Sequence, residues 1–138
     1  MIEVSLTRDC SDVRFPEKEV QRVVLFVCKK EKRNSAEFSF IFTDDKKIKT
    51  INAKYLSHNF VTDIITFPLD EKNLSAEIYI NVQQAKRQAK EFGVTIKNEM
   101  MRLVVHGTLH TLGYDDTNDA DKKLMFERQE RYVENLSL

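Results

Sequence analysis

Met100-Met101-Arg102-Leu103-Val104-Val105-His106-Gly107-Thr108-Leu109-His110-Thr111-Leu112-Gly113-Tyr114-Asp115-Asp116 is the run that sets the architecture of this chain. Apolar side chains fall almost all round its helical wheel, and a helix of that kind lies inside a molecule rather than on it. His106 and His110 stand four residues apart, one turn along the same face. Two nitrogen donors on one side suit a transition metal such as zinc. Gly113 offers the helix a place to end, and two carboxylates follow, one of which can fold back as a third ligand. The plainer alternative is a pair of buried histidines satisfied by ordinary hydrogen bonds. Imidazoles buried together need partners, and a metal is one of the few that serves both.

Outward from that helix, period and caps define the other elements. Residues 2 to 6 alternate as a strand. Pro16 suits the first turn of a helix running from about 16 to 33, with Val20, Val23, Val24 and Val27 at helical spacing. Phe38, Phe40 and Phe42 share one face of a strand over 36–42. Thr43 or Asp44 caps a short helix carrying Ile48, Ile51 and Tyr55. The β-branched and aromatic run 61–67 reads as a strand that ends at Pro68, and 76–80 as another. Asn81 with Gln84 resembles a capping box opening a helix to Gly93. Thr95 starts the histidine helix. Asn118 or Asp119 starts the last one, with Met125, Tyr132 and Leu136 inward. This order predicts an α+β fold: one domain over 1–138, a four-stranded mixed sheet packed with about five helices.

Composition narrows the function. A chain of 138 residues, 41% hydrophobic and 32% charged, is an ordinary globule with room for a core. No apolar run approaches the ~20 residues of a membrane span, and the first residues lack the basic and apolar regions of a signal peptide, so a cytoplasmic location with no membrane partner is expected. Cys10 and Cys28 show no CxxC spacing; Cys28 reads as a core thiol. The net charge is zero, which argues against a strongly basic nucleic-acid binder but leaves room for local patches. Lys29, Lys30, Lys32 and Arg33 form one cluster and Lys46, Lys47 and Lys49 another; both read as solvated faces.

Zinc held by three protein ligands keeps a fourth position for water and lowers that water's pKa towards ~7, so hydrolysis is the natural reaction class. The metalloprotease signature His-Glu-x-x-His places a general base directly after the first histidine. Gly107 stands there instead. Peptide hydrolysis of that kind lacks its base, whereas phosphodiester hydrolysis leans more on metal and positioning.

His106-Gly107-x-Leu109-His110-x-x-Gly113-Tyr114-Asp115 resembles the signature of the YbeY family of bacterial rRNA-maturation metalloendoribonucleases, His-Gly-x-Leu-His-x-x-Gly-Tyr-Asp-His. Upstream, Asn52-x-x-Tyr55 and Thr62-Asp63-Ile64-Ile65-Thr66-Phe67-Pro68 resemble the family's Asn-x-x-Tyr-Arg and Thr-Asp-Val-Leu-Ser-Phe-Pro. Ala76-Glu77-Ile78 is similar to its Gly-Asp-Ile. The resemblance implies an α+β fold, a Zn2+ ion bound by three residues, and cleavage of single-stranded RNA in maturation of the small-subunit rRNA 3′ end and in ribosome quality control. Ribosomal RNA and the small ribosomal subunit are the implied partners, with a ribosomal protein or an assembly GTPase.

Two departures qualify it. The signature's third histidine is Asp116 here. A carboxylate binds zinc at about 2.0–2.2 Å, so the expected ligand set is His106, His110 and Asp116, one positive charge poorer than three histidines and a weaker Lewis acid. Asp116 as a cap or turn residue is the alternative, and Asp115, matching the family's aspartate, is expected to support the loop or the side chains behind the ligands. The family's arginine after the tyrosine, a cation suited to phosphate, is Leu56. Either Lys54, His58 or another basic residue compensates, or nuclease activity is weak; His58 reads as a surface-loop residue. Leu56 and Asp116 also suit a second reading, a non-catalytic ribosome-assembly factor with a structural metal. A non-haem iron site is a lesser one, since two histidines and a carboxylate also serve iron, usually on scaffolds with more strands.

Overall fold

The computed structural model describes residues 1–138. The elements run β1 (Ile2–Arg8), α1 (Glu17–Lys30), β2 (Ala36–Thr43), α2 (Asp45–Tyr55), β3 (Ile64–Asp70), β4 (Ser75–Asn81), α3 (Val82–Phe92), α4 (Ile96–Thr111) and α5 (Asp119–Leu136). The sheet order is β1-β2-β4-β3. β2 pairs in parallel with β1 and with β4, while β3 runs antiparallel to β4. This is the expected four-stranded mixed sheet with five helices.

Alternation divides the sheet into two faces. Phe38, Phe40, Phe42, Ile78 and Ile80 join α1, α4 and α5 in the main core. On the opposite face Ile65, with Phe67 and Tyr79 partly buried, meets Ile48 and Ile51 of α2. The histidine helix is central: α4 packs on α1, α3 and α5 and on β3 and β4. That explains its all-round apolar pattern. Gly107 permits the closest approach, because a Cβ there would stand 3.0 Å from Ile78 Cγ2 and 3.3 Å from Ile64 Cδ1. No helix is long and apolar enough to cross a membrane.

Local chemistry sets the helix starts. Asp44, Asn81, Thr95 and Asn118 are N-caps whose side chains accept from the first-turn amides. The Asn81 box is only half made. Gln84 turns onward, donating to Gln88 and accepting from Arg87, instead of reaching back. Pro16 is the N-cap of α1 rather than its first residue, and the helix stops at Lys30, before Lys32 adopts a left-handed φ of 58°. The third strand also differs from expectation. It begins at Ile64 because Asp63 and Thr62 direct their carbonyls to the backbone and side chain of Asn81. It continues through Pro68 because β3 is an edge strand with an irregularity between Pro68 and Asp70, where a missing donor is tolerated.

Candidate metal centre

The end of α4 is built for a carbonyl at a set place. Gly113 adopts a φ of 112°, a conformation that disfavours a side chain. Its N–H donates to the carbonyl of His110, and the Tyr114 N–H to that of Leu109, the paired bonds of a Schellman motif. The turn brings the Tyr114 carbonyl 2.8 Å from His110 Nδ1. A carbonyl only accepts, so His110 carries a proton on Nδ1, and it is Nε2 that faces away from this bond.

His106 is treated the same way from the other side. Its Nδ1 lies 2.7 Å from Gln129 Oε1 on α5. Gln129 donates its Nε2 to Glu130, which leaves the oxygen for the imidazole. The two rings stand 6.3 Å apart, centroid to centroid. The only buried side-chain polar atom without a partner is Thr43 Oγ1, so both Nε2 atoms reach solvent. Two imidazoles, each oriented by an acceptor behind it, are the donor chemistry zinc takes.

The third ligand is not assembled. Asp116 lies exposed in the loop between α4 and α5, and its N–H donates to Asp115 Oδ1. No three His, Cys, Asp or Glu side chains stand together closely enough to hold an ion. The structure therefore brings together His106 and His110 and leaves Asp116 outside the pair. Asp115 organises the loop as expected, accepting also from the Thr117 hydroxyl.

A family model described as endoribonuclease YbeY matches residues 5–137. The chain belongs to the YbeY endoribonuclease family. It is 39% identical over 110 residues to the endoribonuclease YbeY of Sulfurihydrogenibium sp., covering 75% of this chain and 72% of that one. It is 31% identical over 143 residues to that of Persephonella marina, covering 99% and 94%. The solution structure of TM1509 from Thermotoga maritima superposes with a TM-score of 0.72 at 31% identity, covering 97% of this chain and 87% of that one.

In this YbeY-family chain the loop behind the histidines is tied down from α1. Glu31 accepts from the Tyr114 hydroxyl at 2.8 Å, from the Tyr132 hydroxyl and from Arg128. Burial and the Glu31 carboxylate push the Tyr132 phenol up to about 12, so it remains a donor. A cleft of about 600 Å³ opens beside His110, between Thr111–Asp115 and the β3–β4 turn, lined by the cations Arg33 and Lys72 and by the carboxylates Asp70, Glu71 and Asp115. Cys28 is a core thiol whose pKa burial pushes up to about 11. His58 is an exposed loop residue.

Sequence reasoning missed Gln129. Its signal was present as a polar residue on the inward stripe Met125, Tyr132, Leu136 of α5. The role of Asn52 was also missed. It is 2% exposed and donates its Nδ2 to the Phe60 carbonyl, while its own carbonyl accepts from the amides of Leu56 and His58. Asn52 therefore shapes the loop after α2.

Proposed function

We propose that this chain is a zinc-dependent, single-strand-specific endoribonuclease acting in rRNA processing, at the 3′ end of the small-subunit rRNA, and in ribosome quality control. The observation that carries the reading is the matched orientation of His106 and His110 in a family whose members are named endoribonucleases. Zinc, when bound, supplies Lewis acidity and an acidified water. The chain's own contribution is positional. Gln129 and the Tyr114 carbonyl hold the two rings, and the cleft beside His110 accepts the RNA backbone. With Leu56 in the arginine position, Arg33 and Lys72 on the cleft walls are the cations available to a phosphate.

Asp116 is proposed as the third ligand. It follows Tyr114 by two residues, so the backbone holds it within roughly 7 Å of the carbonyl that fixes His110, and the loop must turn its carboxylate inward. Ribosomal RNA in the small subunit is the proposed partner, with a ribosomal protein or assembly GTPase as a further one. The test is purified protein on single-stranded RNA with and without chelator, beside His110→Ala. Cleavage abolished by both supports the enzyme. Leu56 and the outlying Asp116 favour a second reading, the non-catalytic assembly factor. Binding without cleavage in the zinc-loaded protein would select it.

A further inference from the structure

The span from Lys46 to Val61 holds four lysines and no carboxylate, in a chain whose net charge is zero. It also exposes aromatic rings that a folded domain normally covers. Tyr55 is 61% exposed and Phe60 54%, with Leu56 and Val61 also open to solvent. These rings are held in place. Phe67 meets the Tyr55 ring edge-on at 5.8 Å, Lys54 Nζ lies 5.2 Å from its centre, and His58 lies tilted against Phe60 at 5.1 Å. The buried Asn52 fixes the Phe60 carbonyl, and Ser57 turns the loop through a left-handed φ of 58°. A hollow of about 450 Å³ lined by Lys49, Thr50, Ala53, Lys54 and Asn59 adjoins them.

Resting on the endoribonuclease reading, we infer that Tyr55 and Phe60 form a stacking platform for two unpaired bases of single-stranded RNA, with Lys49 and Lys54 taking the flanking phosphates. Every base offers a flat face to an aromatic ring, and lysines beside the rings follow the backbone, so such a surface binds single strands with little sequence preference. Charge decides for RNA over a protein segment, because rings set among lysines with no acid between them match a polyanion. The platform lies on the α2 side of the sheet and is connected to the histidine helix on the other side through the edge strand β3. Phe60 precedes Ile64 by four residues, at most roughly 14 Å of chain, and Ile64 packs against Gly107 between His106 and His110. Leu56, between them in sequence and 40% exposed, adds apolar surface and no charge.

The experiment measures binding of the full chain to a fluorescein-labelled single-stranded RNA of about twelve nucleotides, by anisotropy, with chelator present so that cleavage does not intervene. Tyr55→Ala with Phe60→Ala is expected to weaken binding at least tenfold, since each lost stack is worth roughly five- to hundredfold. Tyr55→Phe is expected to bind like the unaltered chain. Lys49→Gln with Lys54→Gln should reduce the slope of log affinity against log salt by about 1.4. A duplex of the same length should be insensitive to loss of the rings. Both aromatic positions are exposed, so circular dichroism should match the parent, and the melting temperature should fall only by the loss of the Tyr55–Phe67 edge contact. Unchanged affinity in the double aromatic variant overturns the platform, as it would if the surface received a protein, and so does failure of the unaltered chain to bind RNA. If ring-dependent binding occurs but the zinc-loaded chain never cleaves, the nuclease reading fails and the platform stands. If the double variant binds and cleaves like the parent, the platform fails and the nuclease reading stands.

Discussion

His106 and His110 each lend one ring nitrogen to the protein and keep the other for solvent. On the proposed zinc reading, Gln129 is a positioning residue for the metal through His106. Gln129→Leu is expected to lower zinc affinity about 10- to 100-fold, measured by competition with a chromophoric chelator, and the His106 nitrogen chemical shifts should report a mixture of tautomers. Asp116→Ala tests the third ligand. Metal content should fall, and undiminished content would remove Asp116 from the set. Gly107 answers a different need. Gly107→Ala would gain about 1 kcal/mol in helix propensity yet push a methyl against Ile78 and Ile64 at 3.0–3.3 Å. Overpacking of that kind costs about 1–3 kcal/mol, so a net loss is expected, read as a lower midpoint in thermal unfolding.

At the scale of elements, one polar chain joins three helices beside the histidines. Glu99 on α4, 2% exposed, accepts from Arg102 and from Gln88 of α3. Arg102 also grips Glu130 of α5 through two nitrogens, and Glu130 in turn accepts from Gln129. Arg102→Met would leave Glu99 buried without its cation, a change that costs about 3–5 kcal/mol in such settings, and urea unfolding should show it. The same network makes stability acid-sensitive. Burial acts to raise the Glu130 pKa, but hydrogen bonds from Arg102 and Gln129 and the charge of Arg102 outweigh it, and the carboxyl sits below its ordinary 4.5. A depressed carboxylate stabilises fully above the unfolded value, and that stabilisation is lost as pH falls through the folded one. Stability should therefore decline below about pH 4.5, and Arg102→Met should flatten the decline. Elements were the most legible feature of the sequence, because their causes are local. The valines of α1, the three phenylalanines of β2 and the caps at Asp44, Asn81, Thr95 and Asn118 all act within a few residues. Pro68 misled because whether a strand tolerates proline depends on its place in the sheet, which no local pattern states.

For the molecule as a whole, fold class followed from element order, but the strand order β1-β2-β4-β3 did not, since it is set by contacts between distant segments. The same divide runs through the candidate site. The histidine pair was legible because one helical turn relates its members. Gln129 and the Glu31 clasp on Tyr114 were not, because they join residues 23 and 83 positions apart. The edge strand β3 has one more effect. A strand with an open rim is an invitation to other chains, and proline with a kinked register is how such rims are made unwelcoming. Pro68 and the irregularity before Asp70 interrupt that rim near its end. Concentrated protein should accordingly stay monodisperse in light scattering, and Pro68→Thr should promote slow aggregation without loss of the native fold. A substitution that improves the strand locally would thus harm the protein's colloidal behaviour.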